Sequence, residues 1–323
     1  MKAVSYYEYG SPDVLKLEDI EKPVPNDDEI LIRIYATTVT AVDSIFRNGK
    51  TFSARLATGV FKPKINIPGS DFAGEVEAVG KNVSLFKIGD KVFGDSSIKS
   101  STYAEYICLS ETDPIIGIPS RSEFEEAAAL PYGNLTALPF LRDNGKIKEG
   151  HKVLVLGASG AVGSSAVQLA AYFGAEVTGV CSSSNIELVE SLGADSVIDY
   201  KTDDFTKTKE TYDIVFDTVG KSSFNQCKDL LKEGGVYLTT VVGPVILLQM
   251  LMTSKSKKKA VIAFTGLRKK EEKLKDLSFI KSLVESGKLK PVIDKKYPLA
   301  DAAEAHKYVD GGHKKGNVVL TIR

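Results

Sequence analysis

The feature that most restricts the fold is the stretch VLGASGAVGSSAVQLA at 155–170. A continuous apolar run, KVLVLG (152–157), leads into it, and GAVGSSAVQLAAYFG (160–174) leaves it with apolar residues at helical spacing and a closing glycine. An unbroken apolar strand is what a parallel sheet buried on both faces requires. Further strands are predicted at EVTGVCS (176–182), SVIDY (196–200), YDIVFDTVG (212–220) and GGVYLTTVVG (234–243), with a helix over NIELVESLGA (185–194). Strand and helix alternating at this spacing predict a doubly wound parallel sheet with right-handed crossovers.

On the template G-x-G-x-x-G, the loop between the first strand and its helix places Ala158, Gly160 and Gly163. The second position lets the backbone approach a pyrophosphate, and the third lets the helix pack closely on the strand. Unpaired N–H groups and the helix dipole then favour an anion at the helix start. Placed between a strand and a helix, the motif predicts dinucleotide binding, although Ala158 departs from the template's first glycine. The end of the second strand, where an acid would hold an adenosine 2′-hydroxyl, reads Cys181-Ser182-Ser183-Ser184-Asn185. Hydroxyls can donate to a 2′-phosphate that an acid would repel, so NADP(H) is favoured. No Arg or Lys lies between Glu176 and Tyr200, which leaves Lys201 or the basic tail to supply a cation.

The first 120 residues have a different character. EILIRIYATTV (29–39), FAGEVEAVG (72–80), KVFGD (91–95) and TYAEYICL (102–109) are short, β-branched or glycine-punctuated runs, as strands require. The first long helical pattern is SRSEFEEAAALPYGNLTALPFLRDNG (120–145), with Ser122 read as its cap ahead of Glu125 or Glu126. Toward the C-terminus, SFIKSLVESGKLKP and DAAEAHKYVDGG read as amphipathic helices and NVVLTI as a strand.

With 323 residues, 43% of them hydrophobic, the chain can bury more than one core. Lys plus Arg and Asp plus Glu both number 42, so no global basic field points to nucleic acid. Cys108, Cys181 and Cys227 are far apart in sequence, which argues against a disulfide framework or a cysteine zinc site. His151, His306 and His313 are read as surface or loop histidines. The start, MKAVSYYEYG, lacks the apolar core of a signal peptide, and no long charge-free apolar stretch occurs, so a cytoplasmic protein is expected.

Several stretches together resemble the zinc-free quinone oxidoreductases (zeta-crystallin-like) among the medium-chain dehydrogenase/reductases. They are MKAVSYYEYGSPDVLKLEDIEKPVP, TTVTAVDSIFRNG (37–49), PGSDFAGEVEAVGKNVSLFKIGDKVFG (68–94), AAALPYGNLTAL (127–138), the phosphate loop, LGADSVIDY (192–200), FDTVG (216–220) and KKGNVVLTI (314–322). The resemblance implies an α/β fold in which a GroES-like β-rich catalytic domain (1–122) is followed by a Rossmann NADP(H)-binding domain (123–266). Residues 267–323 would return to the catalytic domain, with the active site in the cleft between the domains. It further implies that Thr136 touches the nicotinamide carboxamide and that Gly160, Ala161, Val162 and Gly163 face the pyrophosphate of NADPH. Ser182, Ser183 and Tyr200 would surround the 2′-phosphate. Val219, Gly220, Val242 and Gly243 would lie by the nicotinamide ribose and ring. Asn317, which stands where the family often has lysine in its closing motif, would be a further coenzyme contact.

Zinc-dependent relatives in this superfamily use a Cys, a His and a further Cys or Asp. By motif these positions fall at Thr40, Ser70 and Tyr132, none of them a competent catalytic zinc ligand, and the relay hydroxyl falls at Val42. No four-cysteine lobe fits between Phe93 and Tyr103. No metal is therefore expected. Without a Lewis acid, hydride addition is easiest to a quinone or an α,β-unsaturated carbonyl, whose product delocalises its own charge. Tyr132 and Thr40 are the candidate proton donors, with water as the alternative. Asp43 and Asp71 are read as structural. Phe46, Phe52 and Phe264 form either a pocket wall or core. PVILLQMLMTSKSKKKA (244–260) is either a solvated segment over the cleft or a peripheral membrane contact, and the resemblance implies that VIAFTG (261–266) is the edge strand that pairs across a homodimer. The competing readings are a zinc-type alcohol dehydrogenase and an NADPH-binding non-enzyme, such as a redox sensor or membrane-associated scaffold.

Overall fold

A computed structural model describes residues 1–96 and 99–323, without the side chain of Ser53; Ser97 and Ile98, between Phe93 and Tyr103, lie outside the described residues. The chain divides into two compact units, one of residues 133–267 and one of 1–132 with 268–323.

In the unit of residues 133–267, six strands form one parallel sheet. In spatial order they are Ser196–Asp199, Glu176–Cys181, Lys152–Leu156, Tyr212–Asp217, Leu231–Thr239 and Lys259–Ile262. Numbered along the chain this is 3-2-1-4-5-6, the order of a doubly wound dinucleotide fold. The reversal of direction falls beside Lys152–Leu156, the strand that leads into the glycine loop. Val153, Leu154 and Val155 are fully buried, as the unbroken apolar run requires. The helix Ala161–Tyr172 buries residues 161–170 against the sheet.

In the other unit a seven-stranded sheet runs Ile293–Pro298, Asn317–Thr321, Glu29–Val39, Asp71–Val79, Lys91–Asp95, Ile115–Gly117, with Tyr106–Ser110 also on Glu29–Val39. Its pairs are antiparallel except Ile293–Pro298 with Asn317–Thr321. The last strand thus returns to the sheet built by the first hundred residues. A separate two-stranded ladder joins Lys2–Ser5 to Lys16–Asp19. The core includes Ile30, Ile32, Ile34, Phe72, Val92, Leu109, Val318 and Leu320, inward residues of neighbouring strands.

Several local expectations are corrected. The helical stretch 120–145 is broken: a short helix, Phe124–Ala128, precedes Pro131–Pro139 and a wider turn over Phe140–Asn144, because Pro131 and Pro139 punctuate it. Its cap is Glu123, reciprocally bonded with Glu126, not Ser122. The strand expected at 234–243 is Leu231–Thr239, and the edge strand expected at 261–266 is Lys259–Ile262. Residues Pro244–Thr253 form a helix, started by a proline whose missing N–H costs nothing there. His306 is not at the surface. It is fully buried on the inner face of Ala302–Asp310, with Ala302, Ala305 and Val309.

Candidate active site

The coenzyme side is built by the C-terminal ends of the parallel strands. Leu156 is followed by Gly157, at φ +76°, so the tight turn of the glycine motif falls on Gly157 and not on Ala158. Ala158 is fully buried, its methyl facing Gly179 on the adjacent strand. A Cβ on Gly163 would stand 2.0 Å from the Gly157 carbonyl, so only glycine lets the helix come this close. A Cβ on Gly160 would meet nothing nearer than 3.5 Å, which marks the open side of the loop. Gly160 begins the helix, no side chain caps it, and Ala161, Val162 and Gly163 form its first turn. The loop and helix start therefore fit a pyrophosphate.

Two further loops are tied to this one. Asn185 donates from Nδ2 to Ser159 Oγ at 2.9 Å, which brings the serine run beside the phosphate loop. Ser182 is 9% exposed, Ser183 and Ser184 are exposed, and Tyr200 is exposed one residue past Asp199. On the other side, Asp217 is fully buried and accepts four bonds: from the N–H groups of Val219 (3.0 Å), Gly220 (2.8 Å) and Ser222 (3.1 Å), and from Tyr237 Oη (3.0 Å). It fixes the turn that presents Val219 and Gly220. Gly220 takes φ +68°, a Cβ there would stand 2.4 Å from the Val241 side chain, and Thr240 Oγ1 donates to the Thr218 carbonyl at 3.3 Å. Val242 and Gly243 follow directly. The structure thus places Gly160, Ala161, Val162, Gly163, Ser182, Ser183, Tyr200, Val219, Gly220, Val242 and Gly243 just past the C-terminal ends of strands of one parallel sheet. Half-buried Thr136 belongs to the helix Pro131–Pro139, whose Gly133 packs on Ala161 and Ser165. Asp217 was not singled out from sequence; an acid closing a buried strand just before a glycine turn was the available signal.

In the other unit, Thr40 caps the helix Ala41–Asn48. Its hydroxyl donates to Asp43 Oδ2 at 2.7 Å and accepts the Asp43 N–H at 3.2 Å, while its own N–H donates to Oδ2 at 2.8 Å. Asp43 Oδ1 accepts from the Gly69 N–H at 3.2 Å. Burial raises the Asp43 carboxyl above the usual range, opposed by these bonds. Asp71 is 1% exposed, and its Oδ2 accepts both Thr38 Oγ1 (2.8 Å) and the Tyr132 N–H (3.2 Å). Burial, and then the negative charges of Asp95 and Asp43, push the Asp71 carboxyl well above the usual range. Asp95 is in turn paired with the buried Lys273 at 2.8 Å. Both acids are therefore structural groups that hold Thr40, Gly69 and Tyr132 in place.

Gly69 takes φ +89°, and a Cβ there would stand 2.3 Å from Thr102 Oγ1. Ser70 is half-buried and Val42 is 37% exposed. Tyr132 is also half-buried as a residue; burial of its phenol, with the charges of Asp43 and Asp71, raises the pKa above the usual tyrosine value, so it stays protonated at any working pH. Asn317 donates its side-chain amide to the carbonyls of Ala129 and Val292, both at 3.1 Å, and so anchors the returning strand. Phe46 is half-buried, while Phe52 and Phe264 are 71% and 51% exposed and do not belong to a core. Buried Arg47 bonds His306 Nδ1 (2.8 Å) and Asp310 (2.6 Å), and His306 Nε2 meets Tyr103 Oη at 3.2 Å. Burial and the Arg47 charge depress the His306 pKa to about 3, so this histidine is neutral. No three His, Cys, Asp or Glu among the described residues converge as metal ligands do.

Comparison with known proteins agrees with this geometry. Residues 26–139 match the alcohol dehydrogenase GroES-like domain model, and 192–320 match the zinc-binding dehydrogenase model. Human quinone oxidoreductase is 34% identical across 100% of this chain and 98% of its own length. The chain belongs to the quinone oxidoreductase family of medium-chain dehydrogenase/reductases. Within the family's wider circle, tomato 2-methylene-furan-3-one reductase is 37% identical over 99% of this chain and 79% of its own. NADPH-dependent alkenal/one oxidoreductase of Arabidopsis thaliana is 34% identical over the same shares. The solved quinone oxidoreductase of Coxiella burnetii superposes with a TM-score of 0.90 at 31% identity, covering 100% of this chain and 99% of that one. The family's α/β architecture, a GroES-like domain with a Rossmann-type parallel sheet, is the architecture of this chain.

Proposed function

We propose that the chain is an NADPH-dependent reductase of quinones or α,β-unsaturated carbonyls that works without zinc. The observations that carry the reading are a complete phosphate loop in the unit of residues 133–267 and, in the other unit, a floor of Thr40, Ser70 and Tyr132 at the metal-ligand positions of zinc-dependent relatives. Thr40 spends its hydroxyl on a helix cap, and the flanking carboxylates are committed to backbone and hydroxyl donors. Such a donor set does not suit a catalytic zinc. NADPH, when bound, supplies the hydride. Gly160 and the helix start would hold its pyrophosphate, with Thr136, Val219, Gly220, Val242 and Gly243 on the nicotinamide side and Ser182, Ser183 and Tyr200 at the adenosine ribose. Tyr132, kept protonated, is the hydrogen-bond donor offered to the oxyanion that develops on the acceptor. Thr40 and Asp43 position that floor, and Asn317 acts by anchoring it. The relatives named for quinone and alkenal/one reduction support the acceptor class. The test is NADPH consumption over a panel of quinones, 2-alkenals and enones; tight NADPH binding with no turnover of any acceptor would sink the enzyme reading.

The proposal includes a homodimer. The edge strand Lys259–Ile262 has a sheet neighbour on one side among the described residues, and the adjacent helix leaves Val245, Leu248, Leu251 and Met252 57–74% exposed. A second copy would cover both. A membrane fits less well, because Lys257 pairs with Glu233 at 3.1 Å and Lys258 donates to the Lys228 carbonyl. No helix among the described residues is long and apolar enough to cross a membrane. Light scattering should return twice the chain mass; a monomer that floats with anionic vesicles would replace this reading with the membrane contact. Action in the cytoplasm is part of the same proposal, and recovery of the tagged chain in an organelle fraction would overturn it.

A further inference from the structure

The serine run at 182–184 faces an acid that its own strand does not carry. In the parallel register Asp199, the last residue of its strand, stands beside Cys181, the last residue of the neighbouring one. Ser183 Oγ donates to Asp199 Oδ2, and the Lys201 N–H donates to Oδ1 at 2.9 Å. These bonds, with a smaller contribution from the Lys201 ammonium, hold the Asp199 carboxyl below the usual range. A serine has one proton to give. With that proton on Asp199, Ser183 presents only lone pairs outward. Lone pairs can accept from a ribose 2′-hydroxyl and oppose a 2′-phosphate, which is largely dianionic at neutral pH.

We propose that Asp199 sets the coenzyme preference through Ser183, holding the advantage of NADPH over NADH below what the serine run would otherwise give. The inference rests on the NADPH reading above and names the residue that tunes it. Asp199 is a positioning residue: it need not touch the coenzyme. Replacing it with asparagine keeps the shape and an acceptor for the Lys201 N–H. It removes the charge and frees Ser183 to donate.

The test is calorimetric titration of the full-length protein with NADPH and with NADH, for the parent, Asp199→Asn, Ser183→Ala and the double variant. Asp199→Asn should raise the ratio of Kd for NADH to Kd for NADPH about tenfold, the effect of one charge and one hydrogen bond near a phosphate dianion. In the Ser183→Ala background the same change should move the ratio less than about threefold. A purely structural role would weaken both coenzymes alike and leave the ratio unmoved, which would overturn the inference. So would a full effect without Ser183. Asp199→Ser, smaller and still polar, provides the same reading should the asparagine variant not fold. If the parent binds neither coenzyme, the NADPH reading itself fails; if it binds both and the ratio does not respond, only the role of Asp199 fails.

Discussion

The residues proposed for the coenzyme and those proposed for the acceptor lie in different units, and the two sets are held by different means. On the coenzyme side the working groups are mostly backbone: a glycine turn at Gly157, a helix start at Gly160, and two loops fixed by Asn185 and Asp217. On the acceptor side they are side chains whose frame is tied to buried acids: Asp43 accepts from the Thr40 hydroxyl and the Gly69 N–H, and Asp71 from the Tyr132 N–H. A backbone site tolerates few changes of residue at its close approaches. A side-chain site tolerates changes that preserve its hydrogen bonds, and its chemistry can change while its frame stays.

The largest expected effect lies in the backbone half. Gly163→Val would force two backbone segments apart, since even a Cβ would stand 2.0 Å from the Gly157 carbonyl. A loss of about 4 kcal/mol or more, seen as insoluble protein or a collapsed melting temperature, is expected. Normal stability with normal NADPH binding would break the comparison.

Asp71 tests the other half. Asp71→Ala leaves a buried hydroxyl and a buried N–H without their acceptor and should cost about 2–4 kcal/mol in urea unfolding. Asp71→Asn should cost less than about 1 kcal/mol, because both donors use one oxygen, which the amide retains. The sign with pH follows. A buried acid whose folded pKa is raised binds its proton more tightly folded than unfolded. Its stabilising contribution is therefore full below the ordinary pKa of 3.8 and falls as pH rises toward the folded value. The asparagine variant should lose that slope.

His306 gives an opposite slope. Its pKa is depressed from 6.5 to about 3, so between those values the unfolded chain holds a proton that the folded one does not. Stability should fall by about 2 kcal/mol between pH 7 and pH 5, with the full loss reached near the folded pKa. Replacing His306 with asparagine should flatten this window. An unchanged slope would mean that the Arg47–His306–Tyr103 network is not neutral at its centre.

The smallest effects separate chemistry from frame. Tyr132→Phe should lower kcat/KM for quinones or enones about tenfold with little change in stability, the loss of one hydrogen bond to a developing oxyanion. Thr40→Val should do the reverse, costing about 1 kcal/mol of stability through the lost cap and moving the rate little. If Thr40→Val abolished turnover while Tyr132→Phe did not, the roles assigned to the two hydroxyls would be exchanged.

How much of this was readable in sequence follows the same division. The parallel sheet and the phosphate loop were legible because apolar runs and glycines act locally, although the turn glycine proved to be Gly157 instead of the template's first position. Asp199 was not legible from the second strand alone, because it lies at the end of the third and reaches the serine run only through register. His306 was misread because the polar context of 301–312 masked its spacing; Ala302, Ala305 and Val309 put it on the buried face. The partners of Asp43 and Asp71 span 26 to 61 residues of chain in the longer bonds, which no local pattern reports.

The central claim is reduction of an activated acceptor by NADPH with no metal in the site. It is tested most directly by following NADPH oxidation with a quinone and a 2-alkenal after exhaustive chelation, with metal content measured on the same sample. The account predicts turnover with one or both acceptors, undiminished by the chelator and at zinc content well below one per chain. Activity that disappears on chelation and returns with added zinc would contradict it.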